Sequence, residues 1–338
     1  AATLATSAAS ASATSANWTQ TAAMVGNDFF DAFDWYTQTD PTNGLVNYQS
    51  MANAQSQNLS FVDSDGHFVM AVSTSETALQ GRNSVRITSK KAYSDGVYVL
   101  NVTHVPTGCA TWPAFWTVTD EIDNWPIGGE IDILENANDQ YSSDLVSVHT
   151  NSSCTIPSTI SSQSGTVAYT NCSAYYPSNP GCRVELDGTS TPTWGTSLNQ
   201  AGGGIVAMER SFGTTGQGVR VWYFPNSGDS LPSDLKNGST TVTPDNWGTP
   251  AAHLPIASCY KDFSAHNIIF DITLCGDWAA NTYANVSTCA STYGTCSFQV
   301  AYNGSSFSQA YWEVQSLRIF SAGGSTANSA NSPQTSSS

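Results

Sequence analysis

Charge is scarce in this chain. Only 11% of its 338 residues are Asp, Glu, Lys or Arg, against about a quarter in an ordinary soluble domain. Basic residues are rarest, 10 Lys and Arg against 26 Asp and Glu, so the net charge is −16. Such a surface repels phosphate backbones and excludes nucleic acid as a partner. It does not repel a neutral polymer. No apolar run approaches the ~18 residues that cross a bilayer, so no membrane span is expected. No C-x-x-C pair occurs, which removes the zinc-ribbon and thioredoxin readings. G-x-S-x-G, H-E-x-x-H and P-loop motifs are missing too. Gly202-x-Gly204-x-x-Ala207 resembles a dinucleotide fingerprint, but without a βαβ setting a glycine-rich hairpin loop explains it better. An initiator Met and an apolar leader are also missing. The expectation is a signal peptide already removed.

What the chain does contain suits an extracellular β-protein. Hydrophobic residues reach 40%, enough for a sizeable core, and Ser, Thr, Asn, Gln and Gly supply the polarity. The eight cysteines, Cys109, Cys154, Cys172, Cys182, Cys259, Cys275, Cys289 and Cys296, favour disulfides and an oxidising compartment, with 105 pairings open. Eight N-x-S/T sequons, at Asn17, Asn58, Asn101, Asn151, Asn171, Asn237, Asn285 and Asn303, point to eukaryotic secretion and N-glycans. Residues 1–16 and 321–338 lack large apolar groups beyond one Leu. They read as flexible tails, too polar to offset the entropy of ordering.

Residues 17–320 read as one domain. Strand-like runs recur at Val97–Val102, Gly129–Leu134, Leu145–His149, Ile205–Met208, Val219–Phe224, Asn267–Leu274 and Glu313–Phe320. Several alternate apolar and polar residues, and long amphipathic helical patterns are few. The fold expected is all-β, two antiparallel sheets packed as a sandwich.

The chemistry concentrates in Gly129-Glu130-Ile131-Asp132-Ile133-Leu134-Glu135. As a strand, it puts Glu130 and Asp132 on one face, with Ile131 and Ile133 in the core. Glu135 lies at an odd offset from Glu130, so a regular strand points it away. One β-bulge near Ile133-Leu134 restores the parity. Three carboxyls crowded on one face raise one another's pKa, so one Glu holds its proton while the other ionises. That pairing suits hydrolysis of a glycoside with retention. A solvated acidic strand or a calcium site would read the same in isolation.

The surroundings favour chemistry on a sugar. Trp112, Trp116 and Trp125 fall within fourteen residues just upstream. Pyranose faces stack on such flat rings, although a Trp or Phe here, such as Phe115, equally suits the core. His149 ends an alternating run and stands within reach of a carboxylate on a neighbouring strand.

These residues carry a resemblance. Thr111-Trp112-Pro113-Ala114-Phe115-Trp116, Asn124-Trp125-Pro126 and Gly129–Glu135 resemble glycoside hydrolase family 16, in particular fungal secreted laminarinases. Gly44–Tyr48, Gly81–Arg86, Val148-His149-Thr150 and Ile269–Trp278 follow in collinear order. The resemblance implies a β-jelly-roll whose concave sheet forms a glucan cleft. It implies Glu130 as nucleophile, Glu135 as acid/base and Asp132 as the assisting residue. It marks Asn47, Arg86, Trp112, Trp116, Trp125, His149 and Trp278 as substrate-binding. The substrate implied is β-1,3-glucan and mixed β-1,3/1,4-glucan, cut by a secreted fungal monomer. No cofactor is implied beyond a structural calcium ion, for which no ligands stand out. One departure is Met208-Glu209-Arg210-Ser211-Phe212, where a Trp after the Glu is expected; it bears on subsite contacts and linkage preference.

Two other readings share the fold. A glucan-binding lectin typically lacks one or both Glu, and both are here. A wall-remodelling transglycosylase typically carries E-x-D-x-E, one residue shorter than the motif here.

Overall fold

The computed structural model describes residues 17–322, except 178, 189–190, 227–230 and 237. It is built on two large antiparallel sheets. One has eight strands, in the spatial order Thr166–Tyr169, Cys182–Glu185, Leu145–His149, Glu130–Glu135, Thr111–Thr119, His266–Leu274, Arg86–Ser89 and Phe33–Trp35. The other has nine. Its long members are Trp18–Met24, Tyr311–Ala322, Gly96–His104, Gly204–Ser211 and Gly218–Pro225. Every run read as a strand from the sequence falls on one of these, except that Gly129 precedes the strand that starts at Glu130. The α-helices among the described residues are short, five to seven residues. Tyr311–Ala322 runs two residues into the segment read as a tail. The rest of both tails, and the sequon at Asn237, lie outside the described residues.

Alternation decides what each sheet buries. Along Thr111–Thr119, Phe115 enters the core while Trp112 and Trp116 stay half-buried on the opposite face. Along His266–Leu274, Ile268, Phe270 and Ile272 face the core cluster between the sheets. A second, smaller cluster covers the other face of the nine-stranded sheet, where Trp18, Trp222, Trp247 and Phe320 pack together. Four disulfides close the chain: Cys109–Cys289, Cys154–Cys259, Cys172–Cys182 and Cys275–Cys296.

The bulge expected in the acidic strand is present. Asp132 pairs with Trp116, but the next rung joins Leu134 to Phe115, leaving Ile133 as the extra residue. Ile131, Ile133 and Leu134 are all fully buried, each worth about 1.5–3 kcal/mol of apolar burial. This packing makes the bulge and its register hard to lose, because a one-residue slip would turn these side chains out of the core.

Candidate active site

The site lies on the open face of the eight-stranded sheet. A tight turn leads into it, with Gly128 at φ 89° and Gly129 at φ 81°. A Cβ at Gly129 would come within 2.7 Å of the Phe263 ring, so this turn requires glycine. Just before it, Trp125 is 39% exposed and precedes a cis Pro126.

From that turn the strand delivers Glu130, Asp132 and, through the bulge, Glu135 to one face. Each Glu receives an indole N–H. Trp125 Nε1 donates to Glu130 Oε2 at 2.9 Å. Trp112 Nε1 donates to Glu135 Oε1 at 2.8 Å. His149, opposite Glu130 on the neighbouring strand, places Nε2 3.3 Å from Asp132 Oδ2 and 4.0 Å from Glu130 Oε1. Its Nδ1 lies 2.9 Å from Asn179 Oδ1. Read with the side-chain amide as placed, Nδ1 is a donor and Nε2 faces the acids.

Burial sets the proton inventory. Desolvation, then Asp132, pushes Glu130 up to about 8, while His149 and the Trp125 N–H pull the other way. Asp132 rises to about 7, chiefly by burial, against the pull of Arg183. Glu135 rises to about 7 through burial and Asp132, against the Trp112 N–H and Arg183. Glu130 and Asp132 titrate together, so the shared proton belongs to the cluster rather than to either residue. Near neutral pH this face therefore carries both protonated and ionised carboxyls, as general acid catalysis beside a nucleophile requires, although burial, with Asp132, holds the proton longest on Glu130.

The flanks extend the surface. Trp116 Nε1 donates to Asp271 Oδ2 at 3.0 Å, and Asp271 is raised to about 7 by burial against the pull of Arg86. The Arg86 guanidinium lies between the Tyr36 and Trp116 rings, 4.8 and 5.2 Å from their centroids. Its buried Nε has no hydrogen-bond partner among the described residues. Trp278 stands edge-on to Trp112 at 5.6 Å, and Arg183 lies over Trp278 at 5.2 Å. Asn47 stands apart on the two-stranded ladder of Val46–Tyr48 with Arg82–Ser84, and its amide donates to the Gln80 and Gly81 carbonyls. Arg183, Asp271 and Asn179 were not singled out from the sequence. Alternation in Cys182-Arg183-Val184-Glu185 and Ile269–Thr273 assigns faces to the first two, but only the sheet order brings them to the acids.

Glu209 in Met208–Phe212 lies on the nine-stranded sheet, held by Trp18 Nε1 at 3.2 Å and by Arg220. Arg210, the unexpected residue after it, faces the other way: its guanidinium donates to the Ser264 carbonyl and lies over the Phe263 ring, which closes on the Gly129 turn. For calcium, the cluster outside the site that comes nearest to a cation site is Asp63, His67 and Glu313. An imidazole ligand does not suit a hard cation that takes oxygen, and Glu313 is already engaged by His67 and Thr103.

An antiparallel sandwich with paired carboxyls set among indoles on one open sheet defines a jelly-roll protein of the carbohydrate-active class. The model of the XgeA-like, catalytic GH16 domain matches residues 33–320, and the chain belongs to glycoside hydrolase family 16. It is 38% identical to a probable endo-1,3(4)-β-glucanase of Aspergillus niger over 315 residues, covering 90% of this chain and 40% of that protein. The chain thus spans well under half the length of that relative. It is 37% identical to laminarinase 16A of Phanerochaete chrysosporium, solved with 6-O-glucosyl-laminaritriose in donor and acceptor sites. That match has a TM-score of 0.82 and covers 90% of this chain and all of that one. An elongating family 16 β-1,3-glucosyltransferase matches at 34% identity and TM-score 0.79, with the same coverage.

Proposed function

We propose that this chain is a secreted, retaining endo-β-glucanase that hydrolyses β-1,3-glucan and mixed β-1,3/1,4-glucan. The observation that carries this reading is the bulge at Ile133, which sets Glu135 beside Glu130 and Asp132 on one indole-lined face. Glu130 is the nucleophile: its carboxylate oxygen bonds to the anomeric carbon as the bond to the leaving sugar oxygen breaks. Glu135 gives its proton to that oxygen. Water then attacks the same carbon, Glu135 takes the water proton, and the Glu130 ester bond breaks with β configuration retained. Asp132, between them and against His149, keeps the proton on the cluster. Trp112, Trp116, Trp125, Trp278, Arg86, His149 and Asn47 bind the glucan. The named activities of the relatives above support the substrate class. Four disulfides and exposed sequons at Asn17, Asn58, Asn151 and Asn285 support an extracellular, glycosylated enzyme, and the Aspergillus and Phanerochaete relatives above are fungal. Residues 17–320 form its catalytic domain.

A second reading is transfer of the glycosyl group to another sugar, and the elongating relative favours it. The test is reducing-end release and product length on laminarin, mixed-linkage glucan and cellulose. Wild type would be compared with Glu130→Ala and Glu135→Ala. Cleavage by wild type alone supports hydrolysis by this pair. Longer products support transfer. Binding of laminarin without any new product would leave a lectin.

A further inference from the structure

The Glu130–Glu135 strand meets its neighbour Leu145–His149 over only three rungs, ending at Asp132 opposite Ser147. Beyond the bulge the two strands diverge, and the backbone N–H of Glu135 has no carbonyl across from it. Asp144, the residue just before Leu145, fills that gap. Its Oδ1 accepts the Glu135 N–H at 2.8 Å. We propose that Asp144 is a positioning residue for Glu135, locked in place by Tyr223 from the opposite sheet. The proposal rests on the acid/base role given to Glu135 above.

Asp144 is held from all sides. It is fully buried. Its N–H donates to Thr193 Oγ1 at 3.0 Å, and its carbonyl accepts the Leu186 N–H at 3.1 Å. The Tyr223 hydroxyl, on the strand Gly218–Pro225 of the nine-stranded sheet, donates to Oδ2 in a short hydrogen bond. The chain Tyr223–Asp144–Glu135 therefore crosses the sandwich and ties the acid's backbone to the far sheet. Burial pushes the Asp144 carboxyl well above its usual range, and these donors offset part of that rise. Without Asp144 the Glu135 N–H would be buried and unpaired, and the carboxyl above it would lose its fixed approach to the leaving oxygen.

A loop brace would look similar in a static structure, so the test must isolate the acid step. A dinitrophenyl β-laminarioside carries a leaving group that departs without a proton, whereas laminarin needs one. Asp144→Ala should lower kcat/KM on laminarin by about 100-fold, the scale of a misplacement near 1 Å, with a much smaller loss of kcat/KM on the aryl substrate, whose first step needs no proton from Glu135. Asp144→Asn, which keeps an acceptor oxygen, should recover most of that loss, and Tyr223→Phe should lose about tenfold on laminarin. Adding Asp144→Ala to Glu135→Ala should cost less than about threefold, because a residue acting through Glu135 has nothing left to position. Equal losses of kcat/KM on both substrates, or a full further loss on the Glu135→Ala background, would overturn the proposal. Should Asp144→Ala fail to fold, Tyr223→Phe decides by the same two-substrate comparison. An active Glu135→Ala enzyme would sink the acid/base reading itself, and the positioning role with it.

Discussion

Trp125 and Trp112 were legible as aromatic neighbours of the acids, but not as hydrogen-bond donors to them. Both give an indole N–H to a carboxylate, at 2.9 and 2.8 Å, and hydrogen bonds to a charged acceptor are the stronger kind. Trp125→Phe keeps a ring for stacking and removes the donor. Its loss disfavours the ionised form of Glu130, so the acidic limb of the kcat/KM profile should move to higher pH. Catalytic efficiency should fall by about tenfold, corresponding to roughly 1.5 kcal/mol. A pH profile with an unmoved acidic limb would show that Trp125 serves only as a platform. Arg183 and Asn179 stayed hidden for a different reason. Nothing local marks them, since Arg183 reaches the acids through strand order and Asn179 reaches His149 from the loop closed by Cys172–Cys182. His149 was readable because it ends an alternating strand. Its fixed ring orientation depends on Asn179, thirty residues away in sequence.

At the scale of the element, parity made the bulge legible. Glu130 and Glu135 are an odd number of residues apart, and Ile131, Ile133 and Leu134 leave no other way to keep both Glu outside and all three apolar groups inside. Deleting Ile133 tests this directly. Without it Glu135 stands four positions from Glu130, so a regular strand carries both Glu on one face and keeps Ile131 and Leu134 in the core. The deletion variant should therefore retain measurable activity on laminarin, while Tm falls by several degrees for the lost core residue. Loss of all activity in a folded deletion variant would mean that the bulge does more than restore the parity. Sheet order was not readable in the same way. His266–Leu274 lies beside Thr111–Thr119 although some 150 residues separate them. Alternation assigns faces within a strand but says nothing about which strands meet. For the same reason nothing local in Met208–Phe212 showed that its strand belongs to the other sheet.

At the scale of the molecule, even cysteine usage foretold disulfides, but their pairing required the fold. Their loop lengths predict unequal contributions. Cys109–Cys289 closes 180 residues and Cys172–Cys182 closes 10. On the chain-entropy account, losing the first to Ser pairs should cost about 5 kcal/mol and the second about 3 kcal/mol, read from urea unfolding. The reverse order would place the effect in native-state contacts instead. The acid cluster makes the opposite kind of contribution. Glu130 is raised to about 8, and Asp132, Glu135 and Asp271 to about 7, whereas in the unfolded chain these carboxyls titrate near ~4. The folded state thus keeps protons that the unfolded chain releases. That stabilisation is fully present below about pH 4 and is lost as pH rises through 7 and 8. Tm should therefore decline between pH 5 and pH 8. Glu130→Gln supplies a neutral side chain of the same shape, so it should raise Tm at pH 8, leave it little changed at pH 4.5, and flatten the decline. If wild type and Glu130→Gln lost stability in parallel over that range, the cluster would not be the source. The expected divergence would show that the crowding which equips this face for acid–base chemistry also lowers stability at neutral pH.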